Sequence, residues 1–183
     1  LAQAEHDARC AATHSIPFFI SAAPFSDALS AAPLPGTGTF GRVRLSSLKP
    51  ESKEKVPKAL HTDSRASLKD GSSPMPLSFA LKIMKKTEVV RLKQVEHIRN
   101  EKEILTEINH PFLVTLYAVC QDSKHLYMLL EFIIGGELFT HLRKAGKFEN
   151  EHGRFYAAQI VLGLQYLHED LDGCIVYRDL KPE

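Results

Sequence analysis

Tyr177-Arg178-Asp179-Leu180-Lys181-Pro182-Glu183 is the stretch that decides the fold. An aspartate fixed beside a substrate hydroxyl can orient that group and accept its proton. Lys181, two residues on, can neutralise charge on a group in transfer. Alone, Asp-x-Lys-Pro would read as a solvated turn. It does not stand alone. Upstream lie Phe79-Ala80-Leu81-Lys82-Ile83-Met84 and Gly36-Thr37-Gly38-Thr39-Phe40-Gly41-Arg42-Val43. Lys82 sits in an apolar run and needs a partner, because burying a lone charge is costly. Glu101, nineteen positions later, shares a helical face with His97 and Leu105 at i±4, and alone would read as a solvated helix charge. The spacing Gly36, Gly38, Gly41 lets backbone N–H groups approach phosphates with no Cβ in the way. A dinucleotide-binding fingerprint should open a helix directly after its glycines. Here strand-like Val43-Arg44-Leu45 follows, which disfavours a dehydrogenase.

The 183 residues carry 23 Lys+Arg against 22 Asp+Glu, a formal charge of +1. A general nucleic-acid or membrane-surface binder would show a strong basic excess. Cys10, Cys120 and Cys174 are far apart and form no CxxC pair, as expected of a reduced intracellular, cytoplasmic protein. No run of about 18 apolar residues suggests a membrane span. Ile16–Ala23 is apolar but short, broken by Pro17 and without a basic flank, unlike a secretory signal.

Residues 1–33, rich in Ala, Ser and Pro, are expected to form a mobile extension. A glycine turn leads into a strand over 37–45. From Ser46 to Pro76 the chain is polar and proline-punctuated, and a disordered insert is expected over about 46–76. Residues 79–84 read as a buried strand, and 89–108 as one helix stopped by Asn109-His110-Pro111. Two strands, 112–120 and 125–134, flank a turn at 121–124. Gly135-Gly136 ends the second. A short helix over 137–143 and a long one over 149–167 complete the pattern.

These blocks, in this order, resemble a protein kinase. Tyr177 where most kinases carry histidine points to the AGC group of serine/threonine kinases, with the cAMP-dependent kinases the nearest type. Arg91-Leu92-Lys93-Gln94, Asn100-Glu101-Lys102, His110-Pro111-Phe112-Leu113-Val114, Gly135-Gly136-Glu137-Leu138-Phe139 and Phe155-Tyr156-Ala157-Ala158-Gln159-Ile160 agree. The resemblance implies an α+β, bilobal kinase fold, with an N-lobe over 34–130 and a hinge and partial C-lobe over 131–183, truncated after the start of the catalytic loop. It implies transfer of the ATP γ-phosphoryl to Ser or Thr, with Asp179 and Lys181 catalytic. Gly36, Thr37, Gly38, Thr39, Phe40, Gly41, Val43, Ala80, Lys82, Glu101, Leu130 (the gatekeeper), Glu131, Ile133 and Glu137 would bind the nucleotide. Glu137 and Glu183 would receive the arginines of basic protein substrates. Leu105 and Leu116 would join the packed column between lobes, and His97 would face a phosphorylated activation loop. A cyclic-nucleotide-binding regulatory subunit is an implied partner.

Departures from the family remain. Pro35 replaces an apolar residue before the first glycine, the insert lengthens the path to Lys82, and Leu171-Asp172-Gly173-Cys174 adds residues before Tyr177. The first residue is Leu1, and the family's Mg2+ ligands would lie beyond residue 183, so a fragment is expected with no metal ligand of its own. The alternative to an enzyme is a non-catalytic kinase-like fragment that binds a nucleotide or a protein.

Overall fold

A computed structural model describes residues 29–38, 41–48, 78–171 and 174–182, without the side chains of 29–38 and Leu48. They divide into two units. Thr115–Phe132 joins the N-terminal unit, which runs to Glu107, and Ile108–Val114 joins the unit from Ile133 onward.

The first unit is a five-stranded antiparallel sheet in the order β1-β2-β3-β5-β4. Its strands are β1 (Leu29–Gly38), β2 (Gly41–Leu48), β3 (Ser78–Lys85), β4 (Leu116–Gln121) and β5 (His125–Glu131). Helices α1 (Lys86–Arg91) and α2 (Val95–Glu107) lie between β3 and β4. Register partners on antiparallel strands share a face. Val43 pairs with Lys82 and Leu45 with Ala80; across β3, Ala80 pairs with Leu130, Lys82 with Met128 and Met84 with Leu126. One face therefore carries Val43, Ala80, Lys82, Met84, Met128 and Leu130. On it Met84, Val89, Leu116, Val119 and Met128 form a buried cluster with Ile98 and Leu105 of α2. The opposite face buries Phe79, Leu81, Ala118, Cys120 and Leu129, with Phe79 edge-on to Tyr117.

Four sequence expectations are corrected. The extension assigned to 1–33 ends earlier, because Leu29–Pro33 already pair with β2. β1 is an edge strand, held by one neighbour's backbone, so it needs no apolar alternation and tolerates proline. Its register shifts between Pro33 and Thr37, around Pro35. The insert assigned from Ser46 starts later, since Ser46–Leu48 belong to β2, with Ser46 fully buried opposite Phe79. The remainder, 49–77, lies outside the described residues, as do 1–28. The single helix over 89–108 is two. Lys93 takes φ 54°, and the Lys93 and Gln94 N–H groups bond back to Val90 and Val89. Val89 and Ile98 reach the same cluster from either side of that break, which a continuous period conceals. The strands flanking the turn are shorter than 112–120 and 125–134; Phe112–Val114 and Phe132–Ile134 leave the ladder.

The turn between β4 and β5 is tied by one side chain. Asp122 Oδ1 accepts the Lys124 and His125 N–H groups, and Oδ2 accepts the Tyr127 hydroxyl at 2.6 Å. These bonds hold its carboxyl well below the usual range. Burial, then the bond to Asp122, pushes the Tyr127 phenol up to about 12.

The second unit contains α3 (Leu138–Ala145) and α4 (Asn150–Gln165), the latter running into a π-helical turn at Tyr166–Asp170. Among the described residues, no helix is long and apolar enough to cross a membrane. The His110 ring stacks on Tyr166 at 4.9 Å, and the Tyr166 hydroxyl accepts the Asn109 N–H. Leu167 is buried, while Phe155, Val161 and Leu162 of α4 stand exposed.

Candidate active site

The sheet face with Val43, Ala80 and Leu130 carries the first group of candidate residues. Helix α2 packs against it through Ile98 and Leu105. Glu101, three residues after Ile98 and four before Leu105, is thereby brought over β3. Lys82 Nζ donates to both carboxylate oxygens of Glu101, at 2.7 and 2.9 Å. The side chains keep 29% and 40% of their exposure, so the charges meet without leaving water. Such a pair contributes little to stability, about 1 kcal/mol or less. Its consequence is geometric: an ammonium is held beside the apolar patch of Val43 and Ala80.

Gly36, Thr37 and Gly38 end β1, and Gly41 opens β2; Gly38 and Gly41 face each other in the ladder. Thr39 and Phe40 lie outside the described residues. Gly41 has a reason that the phosphate argument missed. A Cβ there would collide with the Ile83 carbonyl oxygen, the backbone next to Lys82. The glycine is required by the close approach of β2 to β3.

Leu130 and Glu131 end β5. The Glu131 N–H donates to the Thr115 carbonyl at 2.9 Å, and its carboxylate accepts the Thr115 N–H at 3.3 Å. Leu105 and Leu116 join the same cluster. His97 is exposed and bonded through Nδ1 to Gln94.

The second unit holds the remaining candidate residues. Ile133 is exposed, and Gly135 and Gly136 turn the chain with positive φ before Glu137, the N-cap residue of α3. Asp179 and Lys181 lie in a segment outside helix and strand, with Lys181 Nζ 3.2 Å from Asp179 Oδ2. The Asp179 N–H donates to the Tyr177 carbonyl, and Arg178 takes φ 60°. The Pro182 carbonyl accepts the Phe139 N–H at 2.7 Å. That N–H is one of the first-turn donors a helix leaves unpaired. The bond brings the end of the Asp179 segment to the first turn of α3, beside Glu137. Glu183, the next residue, lies outside the described residues. Two contacts here escaped the sequence reading: the Pro182–Phe139 bond, and a bond from His141 to the Gly135 carbonyl. The spacing of His141 from Glu137, four residues on a helix, was the available signal for the second.

The protein kinase domain model matches residues 75–183. The chain belongs to the protein kinase family. It is 48% identical over 148 residues to the cAMP-dependent protein kinase catalytic subunit of Dictyostelium discoideum, covering 81% of this chain and 19% of that protein. It is similar at 45% identity to the cAMP-dependent protein kinase catalytic subunit PRKX of Homo sapiens, and at 46% to catalytic subunit 3 of Drosophila melanogaster; those matches span 34% and 21% of the relatives. The chain thus spans between 19% and 34% of the length of these three relatives. These likenesses establish the AGC-type resemblance, and the kinase fold agrees with the sheet and helices described. Among the described residues of this kinase chain, no three His, Cys, Asp or Glu side chains gather to hold a metal.

Proposed function

We propose that this chain carries the nucleotide-anchoring and hydroxyl-orienting parts of a serine/threonine protein kinase that acts on sites with arginine before the target residue. The carrying observation is the two-pronged Lys82–Glu101 pair, 2.7 and 2.9 Å, on the sheet face of Val43 and Ala80. An ammonium held beside an apolar patch suits a ligand with a flat apolar end and an anionic end. ATP is such a ligand, and when bound it supplies the phosphoryl group to be transferred. Lys82 would bind its α- and β-phosphates, Val43 and Ala80 its base from above, and the backbone of Glu131 to Ile133 its base edge. Leu130 would limit the depth of that site. Gly36 to Gly41 would offer backbone N–H groups to phosphate oxygens.

Asp179 would orient the substrate hydroxyl and accept its proton. Lys181, already 3.2 Å from Asp179, would balance negative charge on the phosphoryl group. Glu137, one residue before α3, and Glu183, one residue after the Pro182 carbonyl that caps that helix, are two carboxylates suited to two arginines. The same reading makes the protein intracellular and cytoplasmic, with basic protein substrates and a cyclic-nucleotide-binding regulatory subunit as partners. Mg2+ would accompany the nucleotide in the family's complete domain.

Titration calorimetry with ATP tests the reading. Lys82→Ala and Glu101→Gln should each weaken binding by about tenfold or more, the loss expected when a charge-assisted contact goes. Equal affinity in wild type and both variants would overturn it.

A further inference from the structure

Gly135 and Gly136 sit at φ 119° and 77°. Side chains disfavour both values, so glycine permits this turn, and glycine also leaves it soft. Packing does not stiffen it: a Cβ added at either position would meet no atom within 4 Å. Among the described residues, one side chain bonds the turn. The Nε2 atom of His141 lies 2.7 Å from the Gly135 carbonyl oxygen. A carbonyl only accepts, so Nε2 carries the hydrogen and donates. The contact has a local origin. His141 stands one turn into α3, and helical side chains lean toward the N-terminus of their helix. It is also four residues after Glu137, on the same side of the helix.

Glu137 is the N-cap residue of α3, at φ −79° and ψ 137°, and its side chain makes no capping bond. Its carboxylate is exposed and not used to hold its own helix. The direction in which it leaves the chain therefore depends on the backbone just before it, which is the glycine turn.

We propose that His141 is a positioning residue for Glu137. Its Nε2–H to Gly135 bond fixes the glycine turn and so aims the Glu137 carboxylate at the basic side chain of a substrate peptide. This role presupposes the basic-substrate reading given above. It adds a residue that touches neither nucleotide nor peptide but sets how well the peptide is held.

The experiment uses the full chain, a synthetic Arg-Arg-x-Ser peptide, and two readouts. Peptide affinity is measured for wild type, His141→Ala, His141→Gln, Glu137→Ala and the Ala/Ala double variant. Amide hydrogen exchange at 135–138 is followed in the same proteins. His141→Ala should weaken the peptide by about 3- to 10-fold, the worth of one hydrogen bond, and speed exchange at the turn. Glutamine places an N–H at the reach of Nε2, so His141→Gln should restore both. In the Glu137→Ala background, losing His141 should cost no further affinity, because His141 acts through that carboxylate. Unchanged exchange and affinity in His141→Ala would overturn the proposal. So would a peptide loss of equal size with and without Glu137, which would mark a merely structural residue. If Glu137→Ala leaves peptide affinity unchanged, the basic-substrate reading has failed and the aiming role falls with it. The exchange data would then report separately whether His141 holds the turn.

Discussion

Lys82 and Asp179 are fixed by opposite means. Lys82 is placed by a sheet: three strands in register, a helix packed on one face, and two clusters whose members are almost fully buried. Asp179 is placed by an irregular segment, exposed from Val176 to Pro182, whose anchors are backbone bonds, Phe139 to Pro182 and Ile175 to Leu167. Packing fixes a residue against many atoms, each contributing little and all contributing together. A few backbone bonds fix a path but leave side chains free to turn. The surroundings of Lys82 are therefore fixed by packing, and those of Asp179 by a few backbone bonds.

The contrast is broken most directly by truncating one apolar residue in each region. Leu129 is 0% exposed and Leu180 is 61% exposed. Leu129→Ala should destabilise the first unit by about 2–5 kcal/mol through lost burial and a cavity. Leu180→Ala should stay within about 0.5 kcal/mol, as surface changes do. Denaturant unfolding checks both, and comparable losses would show that the Asp179 segment is packed after all.

Next in size is Gly41→Ala. Its Cβ would meet backbone, the Ile83 carbonyl, not a side chain that can swing aside. β2 must move away from β3, at a cost of about 1–3 kcal/mol, typical of overpacking. Because Ile83 adjoins Lys82, ATP affinity should fall with stability. The same substitution at Gly153, where a Cβ meets nothing within 4 Å, should cost no stability and could add a little in a helix interior. Equal outcomes at the two glycines would remove the close-approach explanation.

The Lys82 region was legible through its kinase-like motifs, and the strand and helix periods around them report the packing that holds it. Val43, Ala80, Lys82 and Leu130 fall on one face by register, and Glu101 reaches that face through Ile98 and Leu105. Where packing is not the cause, the pattern misled or was silent. The start of β1 was placed too late because an edge strand held by one neighbour shows no alternation, and residues 29–33 merged with an extension rich in Ala, Ser and Pro. The break at Lys93 was hidden because residues on both sides of it enter one cluster. In the second unit the decisive contacts, Pro182 to Phe139 and His141 to Gly135, involve backbone carbonyls, and a carbonyl has no letter in a sequence.

A smaller effect separates geometry from stability at the ion pair. Lys82 and Glu101 retain 29% and 40% side-chain exposure. Lys82→Ala should therefore cost the fold about 1 kcal/mol or less, while ATP affinity falls by the tenfold argued above. Parallel losses in both measurements would mean that the pair braces the unit and does not serve a ligand.

The smallest expected effect is confined to strong alkali and to the turn between β4 and β5. Tyr127 donates to Asp122 at 2.6 Å, and its phenol is pushed up to about 12, first by burial and then by that carboxylate. The native state thus favours the neutral phenol more than the unfolded chain does, where the value is about 10. The sign follows by linkage: this stabilisation is complete below pH 10 and is lost as pH rises through 12. Tyr127→Phe keeps the ring against the cluster of Phe79 and Leu129 but removes the ionisable group. Its unfolding midpoint should be lower than wild type at pH 7, because Asp122 loses a donor. It should then fall less steeply than wild type between pH 10 and 12, so the two curves converge. Lysine and arginine titration affects both proteins alike, which leaves the difference between them as the readout. Curves that run parallel through that window would show that the Tyr127–Asp122 bond does not couple ionisation to folding.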